Sequence, residues 1–334
     1  MVKKIVAIVL VLVVIAVAVF KIFFDKGGVD ETLADIERNL KTYHLEANME
    51  MINGEDTRNF LVKVTFKNDE DKDFYRVSLL DKSINQEQLI IRNENGVYVL
   101  TPALNQIYKF KGEWPSNSPK PYIYQSLLGE LKGQRQIRQM EDGYLVTSNP
   151  KFRNATSWVK QEIKFAKSLA PLWVHIYDGE GNLKVKVTFT KFEVNPTVDA
   201  ELFNVDTNMT LARENAGQIT AKLEDLPLFP VNVDVDAILK DQTQTEINNE
   251  TIFILSYDGA HQFTVVQKLL EESEETITKE VEGEICDLQD GIGFYHNKIL
   301  TYVYNGVEYR IYSKTLTVSQ LIDIANGMEV VATK

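Results

Sequence analysis

The chain of 334 residues contains a single cysteine, Cys286, and only four histidines. One thiol can form no disulfide within the chain, and a zinc site based on cysteines would lack its ligands. We interpret Cys286 as a small buried apolar side chain, with a reactive thiol or an intermolecular disulfide as the alternative. The histidines have no partners at metal-site or catalytic spacing, so we predict no metal site. They are His44, His175, His261 and His296.

Motifs of common catalytic and nucleotide-binding sites are also absent. The chain has no G-x-S-x-G, no H-E-x-x-H, no Walker A loop and no G-x-G-x-x-G. The acidic residues 68–73 lack the glycine and the distal glutamate of an EF-hand loop and are interpreted as a turn between strands. Because no pair of nucleophile and base can be named, we predict that the protein is not an enzyme and needs no cofactor.

Positive charge is in short supply. Lys and Arg number 36 against 48 Asp and Glu, which gives a net charge of −12. Nucleic-acid phosphates are held by an excess of Lys and Arg, so the balance argues against a nucleic-acid partner. It also argues against a globular part that lies flat on anionic lipid.

One long hydrophobic run is present, at the N-terminus. Lys3 and Lys4 precede residues 5–24, which are apolar except for Lys21. At about 1.5 Å per residue this helix would span roughly 30 Å, the thickness of a bilayer core. Lipidation is excluded because no cysteine comes before Cys286, far beyond the run, whereas Ala16-Val17-Ala18 allows cleavage as a signal peptide. We favour a retained single-pass anchor in the cytoplasmic membrane, with the bulk of the chain extracytoplasmic.

After residue 41, period-two alternation of apolar and polar residues dominates the chain. Residues 43–51 show it, and residues 183–192 show it most clearly. A short amphipathic helix ends near Lys41, and residues 122–131 predict a second helix. Many strands with few helices predict a mainly β fold with one strongly curved antiparallel sheet, a half-barrel whose apolar face the helices cover.

The pattern lapses between residues 211 and 230, and a smaller unit follows. Its strongest signal is Asn305-Gly306 between two alternating runs, which is typical of a hairpin. The acidic residues 271–284 predict a loop or an exposed hairpin, and residues 271–275 within them are interpreted as a charged face that keeps a sheet edge from pairing. The predicted organisation is residues 1–28 as an anchor or signal peptide, 29–210 as the half-barrel, 211–230 as a linker and 231–334 as a small α+β domain.

Incomplete covering of the apolar face would leave a hydrophobic cavity. A plain packed core is the alternative interpretation for each residue on that face. The candidate cavity residues are Met49, Met51, Val62, Val64, Tyr75, Val77, Val187 and Phe189.

Four stretches carry a resemblance to a known family. They are residues 33–51, the hairpin 89–100, residues 171–189 and the closing segment 195–203. In type and order they resemble the LolA, LolB and RseB family of lipoprotein carriers over about residues 29–208. The resemblance implies a half-barrel that wraps around helices and encloses an apolar cavity for acyl chains. The tail is similar to a small domain beside such modules in Gram-positive envelope proteins, notably the sporulation and germination lipoproteins of the GerS kind.

Two functions follow as expectations. The first is a membrane-anchored binding protein whose cavity takes a lipid or a lipoprotein acyl chain. The second is a docking scaffold with a vestigial cavity, which binds an envelope protein such as a cell-wall amidase or a regulator of a sigma-factor pathway. The absence of a lipid-modified cysteine separates this chain from the lipoproteins of the GerS kind, and the predicted anchor separates it from freely shuttling carriers.

Overall fold

A computed structural model describes residues 26–329 except 71, 112–120, 133–134, 153 and 232. Within these residues, no helix is both long enough and apolar enough to cross a membrane. The predicted apolar span, residues 5–24, lies outside the described residues, and the anchor therefore stays a prediction.

Twelve strands form one large sheet. All neighbouring strands in it are antiparallel except one pair at an edge. The strands are β1 (Thr42–Asn53), β2 (Asp56–Asp69), β3 (Lys72–Asp81), β4 (Gln86–Asn93), β5 (Gly96–Thr101), β6 (Gln106–Phe110), β7 (Arg135–Met140), β8 (Gly143–Ser148), β9 (Trp158–Ala166), β10 (Pro171–Asp178), β11 (Leu183–Val194) and β16 (Ile277–Val281). Their order is β16-β6-β5-β4-β3-β2-β1-β11-β10-β9-β8-β7. The predicted mainly β fold with a large antiparallel sheet is confirmed.

Strand β1 shows why the alternating segments form this sheet. Each odd-numbered residue from 43 to 51 is buried, and each even-numbered one is only half-buried. A slip of one residue would expose the whole apolar row, so the buried face fixes the register. In that register Met49 lies opposite Phe60 of β2 on one side and Val187 of β11 on the other. The face that carries this row is called the inner face below.

Among the described residues, four α-helices pack on the sheets. They are α1 (Lys26–Asn39), α2 (Tyr124–Glu130), α3 (Val205–Arg213) and α4 (Val318–Asn326). Helices α1 and α2 lie on the inner face, as predicted, through buried residues such as Leu33 and Leu127. Helix α3 was not predicted; its Met209 and Ala212 cover the opposite, outer face of β4 to β6.

A second, wholly antiparallel sheet has seven strands. They are β13 (Ala237–Ile247), β14 (Glu250–Gly259), β15 (Phe263–Leu269), β17 (Glu284–Leu288), β18 (Gly291–His296), β19 (Ile299–Tyr304) and β20 (Val307–Tyr312). Their order is β13-β14-β15-β20-β19-β18-β17. The predicted hairpin turn at Asn305 and Gly306 joins β19 and β20, and both residues have the positive φ that such turns require. A two-stranded ladder, β12 (Phe229–Pro230) with β21 (Met328–Glu329), completes the unit.

The structure differs from the predicted loop in part of the acidic segment 271–284. Residues 277–281 form β16, which pairs in parallel with β6 at the edge of the large sheet. Asn105 holds the preceding turn, since its amide donates to the carbonyls of Ser273 and Glu274 at 3.1 and 3.2 Å. A carboxylate-rich sequence therefore does not keep this edge from pairing, because backbone groups and one buried asparagine determine the contact. The predicted division at residues 211–230 stays a prediction, although a strand from beyond it belongs to the first sheet.

Helix α4 begins with the capping box that its sequence predicts. The Thr317 hydroxyl accepts from the Gln320 amide nitrogen at 3.3 Å, and the Gln320 side chain accepts from the Thr317 nitrogen at 3.0 Å. We expect Thr317→Ala to lower the free energy of unfolding by about 1 kcal/mol, because the backbone N–H of Gln320 loses its acceptor. Urea unfolding tests this, with Thr317→Ser as the control. An alanine variant as stable as the serine variant would contradict the role of the cap.

Candidate functional site

The eight predicted cavity residues all lie on the inner face of the large sheet. Val64 of β2 is paired with Val77 of β3, and Met49 of β1 with Val187 of β11. Seven are buried, with relative exposures of 6% or less, and Phe189 is half-buried against the same core. The structure thus brings together the residues that the alternation selected. Their role in binding a ligand stays a prediction.

Helix α2 is fixed on this face by a buried tyrosine pair. The rings of Tyr43 and Tyr124 meet edge to face at 5.7 Å, and the Tyr43 hydroxyl donates to Gln125 at 2.8 Å. The Tyr124 hydroxyl donates to the carbonyl of Leu169 at 3.0 Å, so both buried phenols are satisfied. Burial raises the pKa of the Tyr43 phenol well above its usual value, and the group stays neutral. Helix α2 is therefore anchored by directed bonds as well as by apolar contact.

The second sheet also covers the inner face. Ile285, Ile292 and Val303 of this sheet belong to the same apolar core as the β1 row. The Tyr122 hydroxyl, at the entry to α2, donates to Asp287 at 2.9 Å. The apolar face that a carrier would offer to its cargo is thus covered by side chains from three regions of the chain.

The described residues leave small cavities between these layers. One cavity, beside Met49 and Met51, has a volume of about 20 Å³. That volume holds one water molecule, whereas sites for small molecules typically occupy ~300–1,000 Å³. Its walls are mainly apolar and include Phe60, Trp158 and Leu288. In this conformation the cavity is too small for an acyl chain.

The comparisons with known proteins establish the family. The family model described as Sporulation protein YdcC-like matches residues 2–203. The chain belongs to this YdcC-like family. The sporulation protein YdcC of Bacillus subtilis (strain 168) is 28% identical over 308 residues, which make up 91% of this chain and 89% of that protein. The predicted resemblance to sporulation proteins is confirmed.

Two solved structures are similar to this YdcC-like chain at low identity. The MucA/MucB complex of Pseudomonas aeruginosa aligns with 12% identity and a TM-score of 0.34, over 92% of this chain and 100% of that chain. A LolA superfamily protein from Nitrosomonas europaea aligns with 12% identity and a TM-score of 0.29, over 54% of this chain and 97% of that chain. The second belongs to the group that the sequence resembles.

A buried ionic cluster joins the two sheets of this YdcC-like chain. Arg58 of β2 donates through Nε to Asp290, which precedes β18, at 2.9 Å, and its other nitrogen lies 3.5 Å from Asp56. The Tyr304 ring lies 5.2 Å from the guanidinium carbon. Asp81 is buried nearby, and one of its oxygens has no hydrogen-bond partner. Asp290 is therefore the buried carboxylate that pairs with the guanidinium, with Asp56 at the exposed side and Asp81 close to Asp290.

The cluster perturbs the pKa of Asp290 upward. Burial raises this pKa to about 6, with smaller increases from Asp81 and Asp56, while Arg58 opposes the shift. The carboxylate is therefore costly to ionise in the folded state. Burial is the dominant cause, since the side chain is only 11% exposed.

The pKa of Asp290 in the folded protein lies above that of an unfolded aspartate. The contribution of Asp290 to the free energy of unfolding is therefore fully present below about pH 4 and is lost as the pH rises through 6. The loss amounts to about 3 kcal/mol. We expect Asp290→Asn to be about 3 kcal/mol more stable than wild type at pH 7.5 and equal to it near pH 4. Chemical unfolding of both proteins from pH 4 to 7.5 measures the difference, in which the other titrating groups cancel. A difference independent of pH would contradict this assignment.

A much larger cleft opens beside α3. Its volume is about 750 Å³, and it lies between α3, the 3-10 turn Pro102–Leu104 and residues 214–219 and 272–276. Arg213 and Glu272 form an ion pair across it at 3.1 Å. Sequence reasoning missed this cleft, since its walls come from segments without apolar periodicity. The two adjacent charges at 213 and 214 were visible, but nothing in the sequence placed them near residue 272.

Proposed function

We propose that this chain is a non-enzymatic, membrane-anchored protein that docks a protein partner on the outer face of the cytoplasmic membrane during sporulation. The family supports the setting, and the apolar run after Lys3 and Lys4 supports the anchor and its orientation. The observation that carries the docking role is that the inner face is occupied by the chain itself. The cavity beside Met49 and Met51 has a volume of only about 20 Å³, while about 750 Å³ is open beside α3.

The cleft has the character of a polar docking surface. Arg213 and Glu272 each expose a third or more of their side chains, so a partner can replace their mutual ion pair with its own charges. Met209 and Ala103 supply apolar area beside them. A charged rim around a small apolar floor is typical of interfaces that form and dissociate.

Site-specific photo-crosslinking in sporulating cells tests the docking role. A photoreactive residue at Thr210, which is exposed in the cleft, is expected to yield one adduct of defined mass. Arg213→Glu should abolish that adduct without lowering the melting temperature by more than a few degrees. The matched control is the same photoreactive residue at Val159, an exposed position on β9. Identical adducts from both positions, or none from Thr210, would contradict docking at the cleft.

Lipid binding is the second candidate function, and one observation favours it. Met49 and Met51 line the remaining cavity with Phe60 and Trp158, and methionine side chains repack readily around a ligand. Binding then requires Tyr122 and Leu288 to move away from the inner face. Native mass spectrometry of residues 26–334, followed by organic extraction, separates the two functions. A stoichiometric lipid that is lost in Met49→Trp would favour this second function, and a lipid-free mass unchanged by added acyl chains favours docking.

A further inference from the structure

Strand β13 forms an exposed edge of the second sheet. The strand is 11 residues long, and β14 is its only neighbour among the described strands. Nine of its residues are exposed, and Ala237 and Thr245 are intermediate, so side chains on both faces meet solvent. Ile238 and Ile247, near its two ends, are 75% and 50% exposed. A long edge strand with apolar ends is a template for strand pairing.

The pairing with β14 shows which residues of β13 share a face. Thr243 and Thr245 oppose Ile254 and Ile252, while Gln242 and Gln244 oppose the buried Leu255 and Phe253. The register shifts between Leu239 and Asp241, which makes Lys240 the extra residue of a bulge. Because of this extra residue, even-numbered residues before the bulge lie on the same face as odd-numbered residues after it. The face that carries Thr243 consists of Ile238, Asp241, Thr243, Thr245 and Ile247.

This strand is complementary to an antiparallel copy of itself centred on Thr243. Thr243 then faces Thr243 of the second copy, Gln242 faces Gln244, and Asp241 faces Thr245. Because Lys240 is an extra residue that pairs with no residue of the second copy, Ile238 then faces Ile247 at both ends of the ladder. Pairs of hydroxyl, amide and branched apolar side chains are those that stabilise antiparallel ladders.

The charges favour a second copy over an unrelated strand. Lys240 sits at the bulge, and both a lysine and a bulge deter edge pairing. In the self-pairing, Lys240 lies beside Glu246 of the second copy at each end of the ladder. Its bond to Asp258 of its own chain, at 2.8 Å, is compatible with that contact because an ammonium has three donors. A strand with a cation at this place would repel Lys240, so the charges favour a partner that carries a carboxylate there, as Glu246 of a second copy does.

We propose that β13 is a homodimerisation edge, which pairs antiparallel with β13 of a second copy of this chain about a two-fold axis at Thr243. Isologous pairing of this kind closes on itself and produces dimers, not fibres. Two chains anchored side by side in one membrane have a raised effective concentration, which offsets the small area of a single strand pair.

Disulfide trapping of the full chain in its membranes tests this proposal. Thr243→Cys places two thiols opposite each other on the axis, and the native Cys286 is buried and does not compete. Under mild oxidation we expect the linked dimer to form at least about tenfold faster than with Val159→Cys, an exposed position on β9 of the other sheet. Adding Glu246→Lys should bring the rate down to that of the control, because lysines then face each other.

The outcomes decide the proposal. A Thr243→Cys rate equal to that of Val159→Cys overturns it, and so does a disulfide to a different protein. A rate that Glu246→Lys leaves unchanged overturns the assigned register. Melting temperatures within a few degrees of wild type confirm that each variant is folded, so a low rate counts against pairing and not against folding.

Discussion

Replacing Arg58 with methionine is expected to lower the free energy of unfolding by about 3–5 kcal/mol at pH 7.5. Asp290 would keep its buried position and lose the guanidinium that lies 2.9 Å away. Asp81 and Asp56 then repel it without compensation, while methionine retains most of the buried stem volume. Urea unfolding at pH 7.5 measures the loss. It should shrink toward pH 5, where Asp290 is neutral.

The double variant Arg58→Met with Asp290→Asn is the control. It removes both members of the pair, so no buried charge is left alone, and we expect it to recover more than half of the lost stability. If the double variant is as unstable as Arg58→Met, the loss reflects packing around the arginine stem and its stacking on Tyr304. The electrostatic explanation of the contact between Arg58 and Asp290 would then be wrong.

The elements that the sequence predicted well are those whose burial alternates. Strands β1 and β11 begin within one residue of the predicted runs 43–51 and 183–192, since apolar side chains recur there at every second position. The same alternation placed the eight cavity candidates on one face, because residues of equal parity on paired strands point the same way.

The elements that were missed have no such period. Strand β13 has polar residues throughout its middle and is exposed on both faces, so it resembles a loop in sequence. Helix α3 buries only Met209 and Ala212 among its apolar residues, and its burial depends on the outer face of β4 and β5. That outer face was visible only as the continuous apolar run of residues 89–91. Tertiary contacts, not local pattern, determine both elements.

The covering of the inner face was beyond sequence reasoning for a related reason. Arg58 and Asp290 meet across 232 residues of sequence, and Tyr122 and Asp287 across 165. Nothing local in either partner predicts such a contact. A half-barrel with an open cavity and one filled by its own chain have the same alternation, and only the packing distinguishes them. The family resemblance therefore predicts the fold, whereas it does not determine whether the inner face has room for a ligand.

Asn105 makes the second-largest contribution that we expect from one side chain. It is wholly buried, adopts a positive φ of 56°, and accepts from the Thr276 hydroxyl at 2.7 Å. Asn105→Ala removes the bonds to Thr276, Ser273 and Glu274, and alanine tolerates the left-handed region less well than asparagine does. We expect a loss of about 3–4 kcal/mol from the three hydrogen bonds of this buried side chain and from backbone strain. Hydrogen exchange should become faster in residues 277–281, because β16 loses its anchor to β6.

Asn105→Gly separates the two causes. Glycine tolerates the positive φ but makes none of the side-chain bonds, so it should retain fast exchange in residues 277–281 and recover about 1 kcal/mol of stability. Protection of residues 277–281 unchanged in both variants would mean that the parallel ladder alone holds β16. Residues 277–281 would then stay on the large sheet through backbone hydrogen bonds that their carboxylates neither assist nor prevent. The contact between the two sheets would depend on Arg58 and Asp290.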